Sequence, residues 1–134
     1  MYTRYRVALA AMAVTICGAP AFAHHSFAAE FDANSPVELT GTVTKVAWAN
    51  PHTFFYIDVA NASGEIENWA LEMGSPNGLM RRGWTRDSMK IGDVVTVTGS
   101  RAKDGSFKGN ARSITLSTGE KLFAGSSQNN DDAN

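Results

Sequence analysis

Between residues 37 and 116 the chain breaks into five short runs rich in β-branched and aromatic residues, each bounded by turn signals. That pattern reads as a small, mainly β domain. Residues 37–48 (VELTGTVTKVAW) alternate over most of their length, with Pro36 before them and Asn50-Pro51 after. Gly41 inside this run predicts a bulge or a sharp coil of the strand. Residues 53–60 (TFFYIDVA) form the second run, and a four-residue turn at 61–64 leads into the third, 66–73 (IENWALEM). Ser75 as a cap, with Pro76 in the first helical position, predicts a short helix ending at Gly83. Gly92-Asp93 opens a fourth strand over 94–102, and Asp104-Gly105 turns toward a fifth over 111–116. Three strands, a short helix and two strands is the order of an OB-like, five-stranded Greek-key barrel. A plain β-sandwich or roll is the competing arrangement.

Residues 1–23 stand apart. Arg4 and Arg6 form a basic start, 7–17 an apolar run, and Ala21 and Ala23 put small residues where a signal peptidase reads. The apolar run is shorter than the ~20 residues a membrane-spanning helix needs. Tyr5 between the arginines argues for general secretion rather than the twin-arginine route, and Ile16 before Cys17 argues against a lipoprotein. A signal peptide cleaved after Ala23 predicts a periplasmic protein with no membrane association after cleavage. It would comprise an N-terminal arm (24–36), one β domain (37–125) and a small, polar, disordered tail (126–134). The single cysteine leaves with the leader, and with it any disulfide or thiolate site. Without Arg4 and Arg6, ten basic residues face thirteen acidic ones, a net of −3. That balance argues against nucleic acid or an anionic membrane as partner.

The segments HHSFAAEFD at the mature start, NPH at 50–52, GSPNGLMRRGW and GDVVTV resemble a family of small secreted bacterial proteins of unknown function. The resemblance covers nearly all of the mature chain. It implies export and a compact β-rich domain, and it brings no activity, substrate or cofactor with it.

The three histidines carry the sharpest chemistry. With His24 as first residue, its α-amine and Nδ1 can chelate one metal ion, and a remote imidazole completes a three-nitrogen brace. Such a donor set suits Cu(II), which stands highest in the divalent affinity order. His52, beside Pro51 at the start of a strand, is the remote candidate, and His25 is a competing or outer ligand. The plain alternative is a floppy terminus and a histidine that caps a turn. A start at Ala23 would instead place His25 third and build a chelate from amine, backbone amides and imidazole. A start at Phe22 would abolish both.

A second constellation is aromatic. On the second run His52, Phe54, Tyr56 and Asp58 share one face, and Thr53, Phe55, Ile57 and Val59 the other. The four-residue turn places Trp69 opposite Tyr56, so Phe54, Tyr56 and Trp69 make a candidate groove for a peptide or small molecule. The same face filling the barrel interior is the preferred reading, since apolar strand faces are more often core. Met73 is a soft sulfur candidate for Cu(I), although a methionine at a strand end is usually packing. Arg81, Arg82 and Arg86 around Trp84 read as a helix end whose cations offset the dipole, with an anion cradle as the alternative. No nucleophile–base spacing, HExxH helix or phosphate loop is present, which points to a binding or accessory protein rather than an enzyme.

Overall fold

One long, coiled strand organises the barrel. The structure, a computed structural model, describes residues 27–125. The leader, His24, His25 and the 126–134 tail lie outside the described residues. The elements are β1 (Phe31–Ala47), β2 (Phe54–Ala60), β3 (Ile66–Glu72), α1 (Pro76–Met80), β4 (Val94–Ala102), β5 (Lys108–Thr115) and β6 (Lys121–Phe123). A helical turn over 27–30 precedes β1.

β1 is long enough to serve two neighbours. Its first part pairs with β4, from Phe31↔Ala102 to Thr42↔Val94, and its second with β2, from Thr42↔Asp58 to Ala47↔Phe54. The sheet order is β3-β2-β1-β4-β5-β6, and a parallel pairing of β3 with β5 at Ala70↔Lys108 to Glu72↔Asn110 closes the ring. This is the expected OB-like barrel, with a short sixth strand added at the β5 edge.

The interior is filled by alternate residues of each strand. Phe55 and Ile57 from β2, Leu71 from β3, Val95 and Val97 from β4 and Ile114 from β5 are all essentially inaccessible. Leu79 of α1 and Trp84 complete the same cluster. Ser75 caps α1 as expected, its Oγ accepting from Gly78 N at 3.2 Å. The helix ends at Met80 rather than reaching Gly83, whose φ of 95° turns the chain.

Two features of β1 differ from expectation for local reasons. β1 begins six residues early, inside the segment expected to be an arm. There Asp32 accepts from Asn34 N and Ser35 Oγ, and the ladder shifts register between Asp32 and Pro36. The bulge absorbs a proline and a polar turn that would otherwise stop a strand. Gly41 is required by close approach rather than by a bulge, because the register shifts of β1 lie between Asp32 and Pro36 and between Val43 and Lys45. A Cβ on Gly41 would sit 2.5 Å from Asp58 O and 2.9 Å from Val59 Cγ2. Gly41→Ala is therefore expected to destabilise the domain by about 1–3 kcal/mol, the usual cost of overpacking, read as a lower denaturant midpoint.

Candidate functional site

The β2–β3 register decides which side chains meet on the outside. Five residues, Asn61 to Glu65, link the strands; Asn61 Oδ1 accepts from Ser63 N and Glu65 N, and Asn61 N donates to Glu65 O at 2.8 Å. This loop is one residue longer than the expected turn. A slip of one residue transfers a whole strand to the opposite face. Tyr56 accordingly pairs with Ala70, and Trp69 pairs with Ile57 and is buried. The expected Phe54–Tyr56–Trp69 groove is corrected on this point: Trp69 faces inward, its Nε1 donating to Glu67 Oε2 at 3.1 Å. Leu71 and Met73 follow it into the core. Phe54 and Tyr56 remain half-buried on the outer face, under Lys108 and Lys45 respectively.

His52 lies just before β2, behind a cis Asn50–Pro51 peptide. Backbone bonds from Thr53 N to Gly74 O and from Met73 N to Thr53 O extend the β2–β3 ladder past it and hold it at the strand mouth. Its Nδ1 lies 3.3 Å from Met73 O and 3.5 Å from Glu72 Oε1. A carbonyl oxygen only accepts, so the Met73 contact assigns the proton to Nδ1. The neutral ring then carries its lone pair on Nε2, and the side chain is 34% exposed. Holding one ring nitrogen on a carbonyl or carboxylate while the other stays open is the arrangement that prepares a histidine for metal. Met73 contributes its carbonyl here, since the side chain is wholly buried.

Three charged residues that the sequence did not single out cluster at this end of the barrel: Glu72 contacts His52, and Glu30 and Lys108 act on Glu72. Glu72, 12% exposed, has its carboxyl pushed above the ordinary value, chiefly because burial strips water from the charged form. His52 opposes that shift, Glu30 adds to it, and Lys108 opposes it. Lys108 pairs with Glu30 and lies over the rings of Phe31 (5.8 Å) and Phe54 (5.7 Å). The β3–β5 pairing brings Lys108 to this end of the barrel. Lys103 holds the arm as well, its Nζ donating to Ala28 O and its N to Glu30 O. The rings of Phe27 and Phe31 lie 5.6 Å apart. Residues 27–30 are thus fastened near Glu72, the carboxylate that contacts His52.

The raised Glu72 value has a direct consequence for stability. A glutamate whose folded value lies above the unfolded one costs stability when ionised, and that cost disappears as pH falls below the unfolded value near 4.5. Glu72→Gln should therefore raise the urea midpoint of metal-free protein more at pH 7 than at pH 4. An equal effect at both pH values would show that Glu72 ionises freely in the fold.

Among the described residues no group of three or more His, Cys, Asp or Glu side chains is arranged to hold a metal. A metal site at His52 would need donors from outside the described residues. The arginines around Trp84 diverge: Arg82 lies 4.4 Å over Phe123 and donates to Gly125 O, while Arg86 lies 5.6 Å over Trp48. They do not form an anion cradle. Among the described residues no helix is long and apolar enough to cross a membrane.

The strand order, the coiled first strand and the helix between strands three and four define a protein of the OB-like barrel class. Within it, the chain belongs to a family of unknown function, DUF6152, whose model matches residues 11–112. No curated protein matches the chain. Among solved structures it is similar to the mitochondrial single-stranded DNA binding protein Rim1 of S. cerevisiae, at 12% identity and a TM-score of 0.48, over 61% of this chain and 92% of that one.

Proposed function

We propose that the mature protein is a periplasmic, copper-binding accessory module in which His24 and His52 hold one Cu(II). Cleavage after Ala23 makes His24 the first residue, with an α-amine whose ordinary pKa near 8 lets a metal displace its proton at neutral pH. Amine and Nδ1 of His24 supply two nitrogens, and Nε2 of His52 supplies a third. His25 competes for the ion or lies outside it.

One observation carries this reading. His52 has its Nδ1 engaged by Met73 O and Glu72, which leaves Nε2 open at the end of the barrel where residues 27–30 are fastened. His24 lies only six residues before Glu30, an extended reach of about 20 Å at most. Nothing in the charge balance supplies the basic footprint that nucleic acid requires.

Intact mass of the protein recovered after export tests the reading at its root. A chain beginning at His24 is expected. A chain beginning at Phe22, or one acylated on Cys17, overturns it. A start at Ala23 moves the ion to a chelate that does not use His52.

A further inference from the structure

A second site stands on observations independent of copper. A cavity of about 450 Å³ opens on the outside of the barrel across β1, β4 and β5. Ligand pockets commonly range from about 300 to 1,000 Å³, so the space suits a small molecule. Two ladder irregularities border it. One is the β1 bulge between Asp32 and Pro36, and Pro36 lines the cavity. The other lies in β4–β5, where Thr98 faces Ser113 and Gly99 faces Ala111, leaving Arg112 as the extra residue. A bulge re-aims the side chain of its extra residue, and bulges recur beside binding sites. Here it places Arg112 on the cavity.

The opposite wall is Glu38, which pairs with Thr98 across β1–β4. Among the described residues neither Glu38 nor Arg112 takes part in an ion pair. They stand two strand spacings apart, about 10 Å between backbones, with the hydroxyls of Thr98 and Ser100 and the apolar surface of Pro36 and Val37 between them. One carboxylate and one guanidinium cancel. A phosphate would meet Glu38 as a like charge, and a metal cation would meet Arg112. The complementary ligand is neutral overall and carries one charge of each sign a few ångströms apart.

We propose that this cavity binds a small zwitterion, a free amino acid or dipeptide, with the α-carboxylate on Arg112 and the α-ammonium on Glu38. Each contact is partly exposed and individually weak, so a Kd on the order of 1 mM is expected.

The test is an NMR titration of the purified protein with Ala-Ala, with chelator present so that no metal reports instead. Saturable shifts of the Gly99, Ser100 and Arg112 amides are expected. Ala-Ala capped by acetyl and amide groups should cause none, and Glu38→Gln and Arg112→Gln should each weaken binding about fivefold. Both residues are exposed, so neither change should disturb the fold. A parallel titration with alanine assigns the length: equal affinity means the amino acid suffices, and weaker affinity selects the dipeptide. The site is overturned if nothing saturates up to concentrations on the order of 10 mM. It is equally overturned if the capped peptide binds as well as the free one, or if both variants bind as wild type does.

Discussion

His52→Ala is expected to weaken Cu(II) binding by the exported protein about 100-fold or more. Loss of an outer-sphere partner at a metal site costs about 10–100-fold, and loss of a donor nitrogen costs at least the upper end of that range. The residual affinity is that of the His24 chelate alone. The side chain is 34% exposed and gives up only the contacts to Met73 O and Glu72, so the variant should remain folded. Competition against a coloured chelator measures the difference. Identical affinities for wild type and variant would remove His52 from the site and leave a chelate at the terminus only.

Trp84→Ala should produce the largest loss of stability in the domain, about 3–5 kcal/mol in denaturant unfolding. Trp84 is 2% exposed, and its Nε1 donates to Phe123 O at 2.8 Å. Truncation leaves a cavity beneath the α1–β4 connection and also removes a hydrogen bond that secures β6. Trp84→Phe separates the two effects: it keeps most of the packing and should lose roughly 1 kcal/mol from the missing N–H donor, plus a modest packing cost. A loss below about 1 kcal/mol for the alanine variant would place Trp84 outside the core.

How far the barrel was legible in the sequence follows from how local each signal is. The fourth strand, 94–102, has the bounds expected from its Gly-Asp opening and Asp-Gly exit. The Ser75-Pro76 cap is likewise where the sequence put it. Alternation in the second run separated Thr53, Phe55 and Ile57 from Phe54 and Tyr56, but the preferred interior face was the one with Phe54 and Tyr56, and the structure buries the other. What failed depended on backbone geometry that composition does not encode. Asp32 to Pro36 looks like a loop, yet a bulge makes it part of β1. The three residues of β6 are too few to show a period. The Asn61 loop, one residue longer than expected, takes Trp69 off the Phe54–Tyr56 face and pairs it with Ile57 in the core.

The candidate site divides in the same way. His52 stood out because it follows Asn-Pro at a strand start. Glu72 offered a weak signal as a carboxylate on a largely apolar run, but the sequence held it only among scattered acids. Its meeting with Glu30 and Lys108 arises from the parallel β3–β5 pairing, which joins segments far apart in the chain. The Glu38–Arg112 cavity was less visible still, because it needs two bulges on three strands.

The central claim is that one Cu(II) ion joins the mature N-terminus to His52. Electron paramagnetic resonance of the copper-loaded exported protein tests it most directly, with ¹⁵N-labelled histidine to mark the imidazole donors. The expected spectrum has three directly bound nitrogens, and His52→Ala removes one of them. A spectrum that His52→Ala leaves unchanged would contradict the claim.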